Sequence, residues 1–195
     1  TGMENLTFRD LGVQEKHIEE LLRMNIDVLF GEDESLLIVG QQVANEKRGR
    51  SDLVAVDQDG NLVLIEIKRD VDDIVHRSEA FEIQAIRYAA GLATLTEPDE
   101  LVERVFAPYI NERQQEFAGT ELRAEEIADR HLKSFLEKNN ATRTFNRQQR
   151  IIMVASDFDP QTLSAVAWLI SNGVDISCVT MRPRRYNGQD FLDLE

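Results

Sequence analysis

Apolar and polar positions along the chain follow two periods, one typical of helices and one typical of strands. Residues 13 to 30 carry leucine and isoleucine at helical spacing between charged residues, which predicts an amphipathic helix. Three strands are then predicted by β-rich runs, at residues 36 to 43, 51 to 57 and 61 to 69. The dipeptide Asp59-Gly60 between the last two runs is a strong hairpin signal. The first third of the chain therefore predicts a helix followed by a three-strand meander.

The rest of the chain adds helices and two more strands. Helical spacing from about residue 78 to residue 95 predicts a second helix, and the polar, charged segment from about 97 to 140 predicts two or three inserted helices. A strand is expected at residues 150 to 156 and a final strand at 174 to 181. The order, α-β-β-β-α, an insertion, then β-α-β, predicts an α/β fold with a mixed central sheet flanked by helices.

The helix between the last two strands has clear start and stop signals. Asp159 caps it, Pro160 occupies its first position, and an Asn-Gly pair at residues 172 and 173 ends it. Its apolar residues predict one buried face, formed by Leu163, Val166, Ala167 and Ile170.

Two charged residues interrupt the apolar third strand. Glu66 and Lys68 stand two positions apart, so they share one face of that strand. Two charges on one face of an apolar strand cost free energy unless they are paired or used. The predicted hairpin therefore holds the strongest candidate for a chemical site.

The turn of the hairpin decides whether Asp52 joins these two residues. A two-residue Asp59-Gly60 turn pairs Asp52 with Ile67 and points its side chain to the other face. A three-residue loop, residues 58 to 60, places Asp52 directly opposite Glu66. The sequence permits both registers, and the second is our prediction because it also aligns the apolar residues of the two strands.

Adjacent carboxylates at Asp52 and Glu66 repel each other, and a hard divalent cation is their natural neutraliser. Mg²⁺, with Mn²⁺ as the alternative, suits phosphodiester hydrolysis because it lowers the pKa of a bound water. Lys68 then supplies positive charge near the attacking water or the scissile phosphate. The competing interpretation is a structural, salt-bridged hairpin in which Glu66 pairs with Lys68 and Asp52 pairs with Arg50.

The hairpin sequence also resembles a known family. Residues 49 to 57, followed by residues 61 to 68, are similar to the core of PD-(D/E)XK nucleases. The Gly-Arg-x-Asp-Leu opening of the first run most resembles the catalytic domain of NucS-type endonucleases. The resemblance implies a restriction-endonuclease-like core, a metal bound by Asp52, Glu66 and Ile67, and Lys68 as the residue that assists the nucleophile.

The same resemblance implies residues outside the hairpin. A glutamate on the first helix adds to the metal shell in this family; Glu19 matches that position best, with Glu15 and Glu20 as alternatives. Family members also carry Gln-x-x-x-Tyr on the helix after the lysine strand, which Gln84 and Tyr88 match. These two side chains lie on one helix face, where they touch the substrate backbone or buttress the site. Arg50 is expected to bind substrate as well.

Composition limits the other classes of function. The 195 residues fit one domain, residues 3 to 195, with Thr1 and Gly2 interpreted as a tag remnant before Met3. No apolar run approaches the roughly 20 residues of a membrane span, so a cytoplasmic protein is expected. The net charge of -14 argues against a charge-driven nucleic-acid binder. A local basic face is nevertheless predicted around the site, from Lys47, Arg48, Arg50, Arg143, Arg147, Arg150, Arg182, Arg184 and Arg185.

Two functions of different class follow. The first is a Mg²⁺-dependent DNA endonuclease, with an exonuclease or an RNA nuclease as variants, acting on nucleic acid as its partner. The second is a catalytically weak nucleic-acid-binding or protein-interaction module that keeps the fold. A homodimer is a further candidate assembly. Intact Asp52, Glu66 and Lys68 favour the enzyme, whereas the acidic net charge favours the module.

Overall fold

A computed structural model describes residues 2–29, 34–45, 49–76, 78–117 and 121–195. The strands in these ranges are β1 (Glu4–Asn5), β2 (Leu36–Asn45), β3 (Gly49–Asp57), β4 (Leu62–Ile67), β5 (Gln149–Ala155), β6 (Asp175–Tyr186) and β7 (Gln189–Leu194). The α-helices are α1 (Glu15–Met24), α2 (Val71–Val75), α3 (Phe81–Leu92), α4 (Pro98–Leu101), α5 (Ala107–Glu112), α6 (Ala124–Lys138) and α7 (Pro160–Ser171). A 3-10 turn, Ile26–Leu29, follows α1, and a π-helical turn, Val102–Phe106, joins α4 to α5.

The described strands form one mixed sheet in the order β1-β6-β5-β4-β3-β2, with β7 also paired to β6. Antiparallel pairing joins β2 to β3 and β3 to β4, whereas β4, β5 and β6 run parallel to one another. The parallel crossover from β5 to β6 passes through α7, and helices flank the sheet. This α/β architecture with a mixed sheet is the predicted one, and the predicted order of elements is found from α1 to β6.

Side chains of β3 and β4 alternate between two hydrophobic cores, which lie on opposite faces of the sheet. Leu53 and Ile65 pack with α1 on one face, and Val54 and Leu64 pack with α3 on the other. All four side chains are fully buried, and burial stabilises each by roughly 1.5–3 kcal/mol. Asp52 and Glu66 have the parity of the α3 face, so the sheet directs both toward the same side.

The segment from 97 to 140 belongs to the core on the α3 face. Its α4, π-helical turn and α5 form one continuous helical run, and α6 packs against that run. Leu101, Phe106 and Leu132 are almost completely buried in this core. The inserted helices therefore stabilise the sheet beside the hairpin rather than projecting from it.

Two helices differ from their predictions. The first helix ends at Met24, because Asn25 leaves the helical conformation (φ -136°) and its side-chain amide donates to the Leu21 carbonyl. A helix extending to residue 30 is therefore wrong, and residue 30 itself lies outside the described residues. In α7 the Asp159 cap is confirmed, since its carboxylate accepts from the Gln161 and Thr162 amides.

The predicted buried face of α7 is wrong except at Val166, which is buried. Thr162 and Val166 point inward, whereas Leu163 and Ile170 are 46% and 53% exposed. The Thr162 hydroxyl donates to the Asp159 cap at 2.6 Å, which satisfies this polar side chain inside the protein. Hydrophobic periodicity missed this face because Thr162, a polar residue that is hydrogen-bonded to the Asp159 cap, occupies a core position. None of the helices in the described ranges combines the length and the apolar character needed to cross a bilayer.

Candidate active site

The hairpin between β3 and β4 adopts the three-residue loop. Val54 pairs with Leu64, and the same register extends along the ladder, which places Asp52 opposite Glu66. Gly60 closes the loop with φ +84°, a left-handed conformation that favours glycine. The predicted register is therefore confirmed.

The two carboxylates lie where the β3–β4 backbone ladder ends. The last pair of the ladder is Leu53 with Ile65. Beyond this pair, the backbone amides of the two strands donate to side-chain carboxylates instead of backbone carbonyls. The Asp52 amide donates to Glu66 Oε1 at 3.3 Å, and the Ile67 amide donates to Asp52 Oδ2 at 2.8 Å. Each carboxylate is therefore tied to the opposite strand, and both are buried. Hydrogen bonds from the backbone favour the ionised form of such groups.

Burial raises the pKa of Asp52 from 3.8 to about 6. The Lys68 charge and the hydrogen bond from Ile67 lower that pKa, and the charges of Glu15 and Glu19 raise it. The site therefore concentrates negative charge in a poorly solvated place. Such a carboxylate gains the most from a nearby cation.

Lys68 places its ammonium beside this pair. Its Nζ donates to the Ile67 carbonyl at 2.6 Å and to Glu15 Oε1 at 2.9 Å, and it lies 5.5 Å from the centre of the Phe81 ring. The side chain is nearly fully buried. The Lys68 ammonium therefore already contacts the carbonyl of Ile67, which is one of the predicted metal ligands.

Glu19 is the acid of α1 that faces Asp52. It is 3% exposed, and its two oxygens accept hydrogen bonds from the amides of Gln41 and Gln42 at 3.0 Å and 2.7 Å. The same Gln42 nitrogen lies 3.3 Å from Asp52 Oδ1. Glu15, by contrast, meets the site through Lys68.

Glu20, the third candidate on α1, does not face the carboxylate pair. It forms ion pairs with Arg23 at 2.7 Å and with Arg113 at 3.2 Å. These contacts connect α1 to the helical insertion. Glu20 is therefore a structural acid in this arrangement.

Asp52, Glu66 and the Ile67 carbonyl form a set of oxygen donors. In the described part of the chain, no group of three or more His, Cys, Asp or Glu side chains is arranged to hold a metal ion. Two carboxylates and a carbonyl nevertheless match the hard oxygen ligands of Mg²⁺, which usually retains several waters. These residues are the ones that could hold a cation here.

Gln84 and Tyr88 meet on α3, where the Gln84 amide donates to the Tyr88 hydroxyl at 3.1 Å. Both side chains are more than nine-tenths buried, and a Cβ at Gly49 would collide with the Tyr88 hydroxyl and ring. The start of β3 thus rests on α3, which is the buttressing arrangement. Substrate contact through Gln84 and Tyr88 stays a prediction.

The basic residues around the site differ in their partners. Arg50 is exposed, and Lys47 and Arg48 lie outside the described residues. Arg182, Arg184 and Arg185 of β6 form ion pairs of 2.6–2.7 Å with Glu195, Asp193 and Asp190. A shared electropositive surface stays a prediction, and these ion pairs reduce what the β6 arginines contribute to it.

Sequence reasoning missed Gln41, Gln42 and the insertion's Arg113. A bulge between Ile38 and Gly40 shifts the β2–β3 register by one residue, so that Gln42 rather than Gln41 faces Asp52. A glycine inside a strand is the one signal for such a bulge in the sequence. Nothing in the sequence pattern indicates the contact with Arg113.

Comparison with protein-family models gives no match, and neither does comparison with curated proteins. Among solved structures, the chain is similar to one described as "Structure of EndoMS-dsDNA2 complex", with 16% identity and a TM-score of 0.41. The similarity covers 86% of this chain and 44% of the other, so the chain spans less than half of that protein's chain. A TM-score of this size is too low to assign either fold or function.

Proposed function

We propose that this protein is a divalent-cation-dependent nuclease that hydrolyses phosphodiester bonds in nucleic acid, with DNA endonuclease activity as the specific expectation. The observation that supports the proposal most is the placement of Asp52 opposite Glu66 at the end of the ladder, with the Lys68 ammonium beside them. The fold supplies the expected element order around this hairpin.

The residues present fit a Mg²⁺ or Mn²⁺ ion. Asp52, Glu66 and the Ile67 carbonyl offer oxygen donors, as these hard cations prefer. Lys68 donates to that carbonyl at 2.6 Å, so its ammonium would have to move aside before the carbonyl binds an ion. The raised pKa of Asp52, caused first by burial and increased by Glu15 and Glu19, points to the same demand for a cation.

Asp52, Glu66 and Lys68 have different roles in the proposed reaction. When bound, the divalent ion supplies an acidic water and screens charge on the phosphate. Asp52 and Glu66 would hold the ion, and the backbone amides that donate to them keep both carboxylates oriented. Lys68 brings positive charge to the attacking water or to a phosphate oxygen, where negative charge develops. The apolar cores on both faces of β4 keep this geometry rigid.

A second candidate is a catalytically weak nucleic-acid-binding or protein-interaction module. The net charge of -14 favours it, because phosphate binding requires local positive charge. The intact hairpin set favours the enzyme.

A cleavage assay separates the two candidates. Wild-type protein and Glu66→Gln are incubated with single-stranded, double-stranded and branched DNA and with RNA, each with Mg²⁺, Mn²⁺ or EDTA. We expect cation-dependent cleavage by the wild type and none by Glu66→Gln, which loses one anionic ligand but keeps its shape. Binding of nucleic acid without cleavage under every condition would support the module instead.

A further inference from the structure

The helical insertion reaches the candidate active site through a glutamine. Arg113, the residue after α5, forms ion pairs with Glu20 at 3.2 Å and Glu116 at 3.0 Å, and its guanidinium also contacts Gln41 Oε1. The Gln41 amide nitrogen donates to Glu19 at 3.0 Å. Because a guanidinium has only donors, it fixes the orientation of the Gln41 amide, with the oxygen toward Arg113 and the nitrogen toward Glu19.

The neighbouring residue, Gln42, lies between the two acids. It stands opposite Asp52 in the bulged β2–β3 ladder, and its φ of +50° is left-handed, which is unfavourable for a residue with a Cβ. Its side-chain nitrogen lies 2.7 Å from Glu19 Oε2 and 3.3 Å from Asp52 Oδ1. Gln42 is itself exposed, so it closes the outer side of two buried carboxylates.

This spacing separates Glu19 from Asp52 by one amide group. The two N–H bonds of an amide diverge, so they hold the two acceptor oxygens roughly 5 Å apart. Two oxygens bound to one Mg²⁺ ion are at most about 4.2 Å apart, twice its usual bond length. The two oxygens that contact Gln42, Glu19 Oε2 and Asp52 Oδ1, are therefore too far apart to bind one Mg²⁺ ion while Gln42 stays between them.

We infer that Gln41 and Gln42, anchored by Arg113, form an amide clamp that positions Glu19 beside Asp52 but outside direct coordination of a cation. The inference rests on the proposed function. Glu19 then accepts a hydrogen bond from the attacking water and orients it, rather than serving as a metal ligand. Gln41, Gln42 and Arg113 are positioning residues, and the insertion contributes to the site through them.

Replacing the spacer tests the clamp in the full chain. In Gln42→Ala the gap closes and Glu19 gains access to the cation, so calorimetric titration with Mn²⁺ should show affinity rising about tenfold, as for an added carboxylate ligand. Cleavage should change in the opposite direction, with kcat falling about tenfold or more and KM little changed, since orientation of the water is lost. A purely structural glutamine would not tighten metal binding.

Arg113 variants test the anchor. Arg113→Ala should shift Mn²⁺ affinity and kcat in the same directions as Gln42→Ala but less, and Arg113→Lys should restore part of both, because lysine still donates to Gln41. Arg123→Ala is the matched control, since its side chain is on the same insertion and is 77% exposed. Thermal unfolding confirms that each variant is folded, and Gln42→Ala tests the clamp even if Arg113→Ala does not fold.

The outcomes separate the two proposals. Wild-type protein that binds Mn²⁺ and cleaves, together with Gln42→Ala protein that binds Mn²⁺ equally or more weakly, would overturn the clamp and leave the nuclease intact. Wild-type protein that neither binds Mn²⁺ nor cleaves would overturn both.

Discussion

Asp52 is ionised at neutral pH although its burial favours the neutral form. Its pKa of about 6 lies above the unfolded value of 3.8, mainly because the side chain is buried. Below pH 3.8 the carboxyl is protonated in both states and has no effect on the pH dependence of stability. Between pH 3.8 and about 6 the unfolded chain ionises while the folded state keeps the proton, so the stability present at low pH is lost as the pH rises to the folded pKa. The aspartate therefore destabilises the fold at neutral pH in the absence of a cation.

Asp52→Asn should make the protein more stable but inactive. The amide resembles the protonated acid and still accepts from the Ile67 amide, so at pH 8 the free energy of unfolding should rise by up to about 3 kcal/mol. The gain should vanish below pH 4. Urea denaturation across this pH range, in EDTA, measures it.

Asp10→Asn is a control for which the expected change in stability has the opposite sign. Hydrogen bonds from Thr7 lower the pKa of Asp10, so its charge contributes stability that is present above the unfolded pKa and lost as the pH falls through the folded pKa. Replacement of Asp10 should therefore lower stability at pH 8. Equal effects of the two substitutions would contradict the role assigned to burial of Asp52.

Strand β3 packs closely against helix α3 at Gly49. Gly49 leaves room for the Tyr88 hydroxyl, which also accepts from Gln84. Gly49→Ala should destabilise the protein by about 1–3 kcal/mol, as other overpacking substitutions do. In a Tyr88→Phe background the hydroxyl is gone, so the same substitution should cost less. Equal costs in both backgrounds, measured by urea denaturation, would show that Tyr88 does not contact Gly49.

Local signals predicted much of the fold correctly. The loop of residues 58 to 60 and the alternation of β3 and β4 determine the register that brings Asp52 to Glu66. The Asp159 cap likewise depends on its nearest neighbours. Such features can be predicted from a sequence because the residues that cause them lie within a few positions of one another.

The features that were missed depend on distant partners. The family resemblance ranked Glu19 first among the acids of α1, but the contacts that distinguish it from Glu20 are with Gln42 and Arg113, which lie far away in the sequence. The β2 bulge places Gln42, and its effect appears only once β2 pairs with β3. Positioning residues of this kind require the tertiary structure.

The final strand was also missed, although it has a local signal. Asn187-Gly188, with φ of +50° and +78°, is a strong hairpin turn between β6 and β7. Three arginines and a proline after Met181 interrupt the apolar pattern, which ended the predicted strand too early. Acids in and just after β7 neutralise those arginines across the hairpin.

The charge of the molecule limits how it can bind nucleic acid. The net charge is -14, and the described arginines of β6 are ion-paired with acids near the C-terminus. Under the proposed function, binding of nucleic acid would depend on few local positive charges and on a cation at the site. Arg50, exposed and two residues before Asp52, is the best-placed of these charges.

Arg50→Ala should weaken DNA binding and lower the slope of log affinity against log salt by about one, as expected for one lost phosphate contact. Arg185→Ala is the matched comparison, because Asp190 already pairs with that guanidinium at 2.6 Å. Its salt slope should stay unchanged. Fluorescence anisotropy in the Glu66→Gln background measures both without cleavage, and equal slopes for the two variants would contradict the role of Arg50.

Lys68→Ala separates cation binding from chemistry in one protein. Removing the ammonium frees the Ile67 carbonyl and leaves Asp52 and Glu66 in place, so calorimetric titration should show Mn²⁺ bound at least as tightly as by the wild type. Cleavage by the same preparation should fall about a hundredfold or more, because the charge beside the phosphate is lost. Lys133→Ala, with a side chain 60% exposed, is the control that should match the wild type in both. Folded Lys68→Ala protein that cleaves at the wild-type rate would show that this hairpin is not the active site.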